Sequence, residues 1–116
     1  MWYQKSLLTF IALSTIVSAC STAELTPAGA RVAAGRGAPA ESCRPLGYLT
    51  GEGGGTFGGA YISNDKLVEY ALNDLRNKAG ELGANYVQQD PPQLGNGHGT
   101  TTTATVTGTA YRCAFP

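Results

Sequence analysis

The three cysteines, Cys20, Cys43 and Cys113, are the side chains with the most distinctive chemistry in this sequence. A thiol can carry a lipid, bind a metal or form a disulfide, and the cellular compartment decides among these fates. Cys20 directly follows a mostly apolar stretch, whereas Cys43 and Cys113 bracket the rest of the chain. An even pair in an exported domain favours a disulfide over two free thiols. Such a bond would stabilise a small domain by about 4 kcal/mol on chain-entropy grounds.

Metal binding and catalysis both need convergent residues that this sequence does not supply. His98 is the only histidine, and the CxxC and HxxxH spacings of zinc sites are absent from the sequence. Gly53, Gly55 and Gly58 match the GxGxxG pattern, but a dinucleotide site requires a strand before it and a helix that opens on it. We therefore expect no metal, no cofactor and no catalytic residue, and the chain is not expected to be an enzyme.

Residues 1–19 have the layout of a secretory signal peptide. Lys5 is the only charged residue before Cys20, and the mostly apolar run 7–19 follows it. The run ends on small residues, as signal peptides do at their cleavage site. The alternative is an uncleaved transmembrane helix, because the charge-free stretch reaches the lower limit of a membrane span, about 17 residues. Its many serines and threonines argue against that alternative.

The stretch Val17-Ser18-Ala19-Cys20 resembles the lipobox of bacterial lipoproteins. The resemblance implies that diacylglycerol is joined to the Cys20 thiol, that the chain is cut before Cys20, and that the new amino group is acylated, for example with palmitate. Two lipid signals anchor a protein stably, whereas one chain binds only marginally. Ser21 in place of aspartate implies sorting to the outer membrane, facing the periplasm. The remaining alternative is a cleaved signal without lipid.

Length and charge restrict the rest of the molecule. The chain has 116 residues, which allows one small domain, and its 8 basic residues balance its 8 acidic residues. Without an excess of positive charge, nucleic acid is not an expected partner.

Residues 20–40 are rich in alanine, glycine and proline, and we expect them to form a lipidated N-terminus and tether. Residues 31–34 of this segment could add an edge strand to the sheet. The domain proper is expected at 41–116.

A run of apolar residues at helical spacing predicts one long helix. The residues of this run are Val68, Leu72, Leu75, Ala79 and Leu82. Ser63-Asn64-Asp65 offers an N-cap with an acid in the first turn. Gly83 stands where a left-handed C-cap residue is expected.

Strand-prone stretches lie on both sides of this helix. They cover residues 47–50, 85–89 and 100–113, and the glycine-rich segments 51–59 and 95–99 are predicted to be turns or loops. Together with the edge strand they predict an α+β fold, a small mixed or antiparallel sheet of about four strands in the order ββαββ. The single helix is expected to pack on one face of this sheet.

Alternation along the last strand separates two faces. One set of residues is small and apolar and is expected to point to one side of the sheet: Ala104, Val106, Gly108 and Ala110. The other set is our candidate contact face: Thr105, Thr107, Thr109 and Tyr111. Tyrosine is enriched at protein interfaces. The alternative is that this face is an ordinary solvated sheet surface.

Four blocks of sequence, in order along the chain, resemble an uncharacterised family of bacterial lipoproteins with a domain of unknown function. The blocks are Leu25-Thr26-Pro27-x-Gly29-x-x-Val32, Cys43-x-x-Leu46-Gly47, Asn77-Lys78-Ala79-x-x-Leu82-Gly83-Ala84-Asn85 and Tyr111-Arg112-Cys113. Residues 46–51 and 83–87 are also similar to RcsF-type outer-membrane lipoproteins, which signal envelope stress. That second resemblance implies a small mixed sheet with one packed helix. RcsF-type domains carry two disulfides, whereas this chain has one cysteine pair besides Cys20.

The expected function is therefore binding at the cell envelope. We expect a lipid-anchored, periplasm-facing domain that binds protein or envelope components, with envelope stress sensing as one such role. Its expected partners are the membrane, through the N-terminal lipid, and another envelope protein. The alternative is a purely structural or accessory lipoprotein without signalling output.

We predict that Cys20→Ala abolishes lipid attachment and cleavage of the signal peptide, because the thiol at this position accepts the lipid. Mass spectrometry of the mature N-terminus measures both events, and Cys43→Ser is the control that keeps the lipid. An unmodified N-terminus in the unaltered protein, or cleavage at another bond, would contradict the prediction.

Overall fold

The computed structural model describes residues 23–55, 62–97 and 100–114. Its elements, in chain order, are α1 (Pro27–Ala30), β1 (Ala33–Gly35), β2 (Arg44–Gly54), α2 (Asn64–Glu81), β3 (Tyr86–Gln89), β4 (Gln93–Gly97) and β5 (Thr100–Arg112). Among the residues described, no helix combines the length and the apolar character needed to cross a membrane. The proposed signal peptide and Cys20 lie outside the described residues.

The long strand β5 organises a mixed five-stranded sheet. The strand order is β1-β3-β5-β2, and β4 also pairs with β5. Because β5 is 13 residues long, β3 pairs with its C-terminal part and β4 with its N-terminal part, while β2 pairs along its other edge from Thr103 to Arg112. The pairing is antiparallel except between β1 and β3, which are parallel. Every strand except β1 therefore depends directly on β5.

The predicted α+β class is confirmed, but the order ββαββ matches only roughly. The structure adds α1 before the first strand and β4 before the last. The predicted turn 51–59 is wrong in its first part, because β2 continues as far as Gly54, and β4 occupies part of the predicted loop 95–99. Pairing with β5 satisfies the backbone of these glycine-rich stretches, which have little strand propensity of their own.

The folded unit begins well before Glu41, the boundary expected from composition. Val32 is completely buried in the core, and β1 pairs with β3 through Ala33 and Tyr86. The edge strand expected near residues 31–34 thus forms at Ala33–Gly35. Much of the segment expected to be a tether is folded onto the domain.

Local signals set both ends of α2. The Ser63 side chain accepts a hydrogen bond from the Lys66 amide at 3.2 Å, as an N-cap does. At the other end Gly83 has φ +88°. The Gly83 amide donates to Gly80 and the Ala84 amide donates to Ala79, which is the Schellman arrangement. The predicted start and stop of the helix are confirmed.

The buried face of α2 is rotated slightly from the predicted stripe. The fully buried residues follow one another at intervals of four: Leu67, Ala71, Leu75 and Ala79. Val68 and Leu72 are only partly buried against this cluster. Leu82 is 49% exposed because it caps the helix and lies beyond its last turn.

Glycine residues in β2 allow α2 to pack closely on the sheet. A Cβ on Gly51 would lie 2.7 Å from Leu75 Cβ, and one on Gly53 would lie 2.8 Å from the Ala71 amide nitrogen. Real Cβ atoms do not approach so closely, so the helix backbone lies where a larger side chain would otherwise stand. Ala104, Val106 and Ala110 of β5 complete this buried layer. The predicted division of β5 into two faces is thereby confirmed.

We predict that Gly51→Ala lowers the free energy of unfolding by about 1–3 kcal/mol, as overpacking of a tight core does. Gly37→Ala is the matched control, because a Cβ at Gly37 meets nothing within 4 Å. It should change stability by less than about 0.5 kcal/mol. Denaturant unfolding of the two variants measures the difference, and equal midpoints would show that the helix does not depend on the glycine for its position.

Candidate functional site on the open face of the sheet

The sheet has one face covered by α2 and one face that the described helices leave uncovered, which we call the open face. The predicted contact residues Thr105, Thr107, Thr109 and Tyr111 lie on it and are half-buried. Their neighbours in β5 point the opposite way and are buried under the helix. The open face therefore presents a row of polar β5 side chains that the described helices leave accessible.

Tyrosines from three strands share the open face. Strand register sets Tyr86 opposite Tyr111 and Tyr48 opposite Thr109. The Tyr86 and Tyr111 rings are tilted with their centroids 6.4 Å apart. Tyr48 is 64% exposed, more than any other large hydrophobic residue that the structure describes. The result is an aromatic surface with polar tips, the composition that protein interfaces favour.

A bulge in β2 is responsible for the position of Tyr48. The register with β5 shifts between Pro45 and Gly47, so that Leu46 has no partner of its own. Leu46 packs against the core, while Tyr48 falls on the open face. Bulges commonly redirect side chains in this manner.

Asp90 fixes the phenol of Tyr48. The Tyr48 hydroxyl donates to Asp90 Oδ2 at 2.7 Å, and the Thr107 hydroxyl donates to the same oxygen at 2.8 Å. The Asp90 amide donates to the Thr107 carbonyl at 2.8 Å, which holds the carboxylate in place. These two hydroxyl donors, Tyr48 first and Thr107 second, lower the pKa of Asp90 below its usual value.

The Cys43–Cys113 disulfide and the segment between β1 and β2 close one end of the open face. Cys43 and Cys113 form the expected disulfide across a sequence separation of 70 residues, so this prediction is confirmed. Tyr86 donates to the Gly37 carbonyl at 2.6 Å, which holds the segment between β1 and β2 over the sheet. A cavity of about 260 Å³ lies between the disulfide, Tyr86 and Pro39. It is smaller than typical small-molecule pockets, which begin near ~300 Å³.

The same end of the domain carries two arginines in register. Arg44 and Arg112 are paired residues of β2 and β5, and both are exposed. With Ser42 and Asn85 they line a hollow of about 420 Å³. The side-chain amide of Asn85 already forms hydrogen bonds within the domain, since it donates to the Cys113 carbonyl and accepts from the Cys113 amide. The arginines give this end a positive charge suited to an anionic group on a partner.

A family model, described as Domain of unknown function (DUF4156), matches residues 23–113. The chain belongs to this family. The match covers every described element of the DUF4156 domain, from the segment before α1 to the disulfide after β5. No curated protein and no solved structure matches the chain. The expected membership of an uncharacterised family is confirmed, while the comparisons leave the lipoprotein and RcsF-type likenesses unsupported.

Other residues considered from the sequence do not form a site among the described residues of the DUF4156 domain. Gly53 lies inside β2 and Gly58 lies outside the described residues, and α2 begins only at Asn64. No cluster of three or more histidine, cysteine, aspartate or glutamate residues suited to a metal ion occurs among the residues described. His98 lies outside the described residues.

The residues that complete the open face were not predicted. Tyr48, Tyr86 and Asp90 join the β5 residues through strand register and the bulge in β2, which depend on long-range pairing. One local signal was present in the DUF4156 sequence. Asp90 directly precedes two prolines at the end of β3, where strand pairing has to stop because proline cannot donate to the ladder.

We predict that removing both hydroxyl donors, in Tyr48→Phe with Thr107→Val, raises the pKa of Asp90 toward its ordinary value. The donors stabilise the charged carboxylate, so their contribution to stability is complete above the ordinary aspartate pKa and is lost as pH falls through the lower folded value. A carbon-detected NMR titration of the carboxyl measures the shift. Tyr111→Phe, which removes a neighbouring hydroxyl, should leave this pKa unchanged, and an unaltered pKa in the double variant would contradict the network.

Proposed function

We propose that the protein is exported, is anchored through lipid on Cys20 to the outer membrane facing the periplasm, and binds another envelope protein through the open face of its sheet. The anchoring rests on the signal-like start and the lipobox-like stretch before Cys20. The binding role rests on the open face, described next.

The exposed tyrosine surface is the single observation that carries the binding role. Tyr48 is 64% exposed and stands beside the threonines of β5 and the Tyr86–Tyr111 pair. Tyrosine supplies large contact area at a small cost in side-chain entropy, and its hydroxyl forms hydrogen bonds with a wet partner surface.

The surface is also held in place before any partner binds. Asp90 accepts hydrogen bonds from Tyr48 and Thr107, and the Cys43–Cys113 disulfide ties together the ends of β2 and β5. Ordering side chains at an interface costs about 0.5–1.5 kcal/mol each, and preorganisation removes part of that cost. A fixed surface of this kind favours recognition of a defined protein over loose contact with many.

The finer role that we propose is sensing or transmitting envelope stress. It is supported by the similarity of residues 46–51 and 83–87 to RcsF-type lipoproteins. The first of these stretches carries Tyr48 and the second carries Tyr86, so both contribute a tyrosine to the open face. A lipoprotein with a purely accessory role would bind through the same face but would give no signalling output.

The binding role predicts a specific crosslink. A photoreactive amino acid at position 48 or 109, in living cells, should form one discrete adduct with an envelope protein. The matched control is position 81, an exposed residue at the end of α2. If positions 48 and 109 give no adduct while the protein remains folded and anchored, the open face is not a binding surface.

A second measurement separates the finer roles. Deletion of the protein should change the output of an envelope-stress reporter, and Tyr48→Ala should reproduce the deletion if signalling requires the open face. An unchanged reporter together with a discrete crosslink would assign an accessory role. A hydrolytic activity that is lost on His98→Ala would overturn the binding proposal in favour of an enzyme.

A further inference from the structure

The chain segment before α1 is fixed to the outer side of α2. The Asn73 side chain donates to the Ala23 carbonyl at 3.1 Å, and the Asn77 side chain donates to the Glu24 carbonyl at 2.8 Å. The Asn77 carbonyl oxygen accepts from the Thr26 amide at 2.9 Å and from the Thr26 hydroxyl at 3.1 Å. Thr26 is at the same time the N-cap of α1. The side-chain amides of Asn73 and Asn77 thus bind residues 23–26 to α2, and the Thr26 cap fixes the start of α1 beside it.

These contacts lie on the side of α2 that faces away from the sheet. Asn73 and Asn77 are displaced by about half a helical turn from the buried residues Ala71 and Leu75. Further along, a Cβ on Gly80 would lie 2.6 Å from the Ala28 carbonyl oxygen, so α1 also packs on this side. The segment 23–30 therefore packs against α2 on the helix-covered side of the sheet, before the chain enters the sheet at β1. The open face and this segment lie on opposite sides of the sheet.

The direction of the segment determines where the preceding residues start. The chain meets α2 first at Asn73, then at Asn77 and finally at Gly80, so it runs in the same direction as the helix. Only three residue steps separate Cys20 from Ala23. A chain spans at most about 3.6 Å per residue, which limits the Cα of Cys20 to about 11 Å from that of Ala23. A lipid on Cys20 is consequently attached close to the outer side of α2.

We propose that the outer side of α2, defined by Lys66, Glu69, Asn73 and the segment 23–26, lies against the lipid headgroups of the membrane. This orientation rests on the proposed lipidation of Cys20. It turns the open face of the sheet away from the membrane and toward the periplasm, where a protein partner can reach it.

The side chains near the proposed contact suit a headgroup layer better than a hydrocarbon layer. Lys66 and Glu69 form an ion pair at 3.0 Å, and their side chains are 52% and 55% exposed. The pair is neutral as a whole, so it gives no strong attraction to anionic lipid. The short covalent link, rather than charge or inserted apolar residues, sets the orientation.

Single tryptophan residues can test this orientation cleanly. The only tryptophan of the chain, Trp2, lies within the proposed signal peptide, so the mature protein carries none. Glu69→Trp places a reporter on the outer side of α2, and Tyr48→Trp places a matched reporter on the open face. Each variant, in its mature lipidated form, is reconstituted in phosphatidylethanolamine–phosphatidylglycerol vesicles that contain a small fraction of dansyl-labelled lipid.

Energy transfer from tryptophan to the dansyl lipid is expected to be several-fold stronger from position 69 than from position 48. Insertion of a long Gly-Ser spacer between Ser21 and Thr22 should make the transfer efficiencies from positions 69 and 48 similar, because the domain can then rotate freely relative to the membrane. Equal transfer without the spacer, or stronger transfer from position 48, would overturn the orientation while leaving the anchor in place. Failure of the protein to float with the vesicles would instead overturn the proposed lipid anchor.

Discussion

The close packing of α2 on the sheet is the constraint on which the rest of the structure depends. Small residues on both surfaces, among them Gly51, Gly53 and Ala71, let the two backbones approach, and Leu75 fills the remaining space. Among the described residues, the largest fully buried side chains are two leucines and three valines. A core of this size gives the fold only a small free energy of unfolding. The Cys43–Cys113 disulfide therefore contributes a substantial part of the stability, about 4 kcal/mol on chain-entropy grounds.

Packing of α2 on one face alone also creates the surface proposed to bind a partner. Residues of β5 alternate between the buried side and the open side, so the polar character of the open face follows directly from the burial of the other. Asp90 then links Tyr48 and Thr107 across strands that the helix holds in place from behind. The N-terminal segment occupies the far side of α2. The segment that follows the proposed lipid site and the surface proposed for recognition therefore lie on opposite sides of the sheet.

Features governed by local chemistry could be predicted from the sequence. The ends of α2 follow from Ser63 and Gly83, and the two faces of β5 follow from strict alternation. Features held by distant contacts could not be predicted. The N-terminal segment looks like a tether by composition, yet it is bound to Asn73 and Asn77 at sequence separations of 50 and more. The open face could be predicted only in part for the same reason. Strand register and the bulge in β2, which depend on distant pairing, add Tyr48 to the predicted β5 residues.

The position of β5 in the sheet has a consequence for how the protein is made. Three of the other strands pair directly with β5, which occupies residues 100–112 near the C-terminal end of the chain. Synthesis proceeds from the N-terminus, so a nascent chain contains β2, β3 and β4 before it contains the strand that joins them. The complete sheet can assemble only after β5 has been synthesised. Until then β2, β3 and β4 lack the neighbour that satisfies the hydrogen bonds along their paired edges.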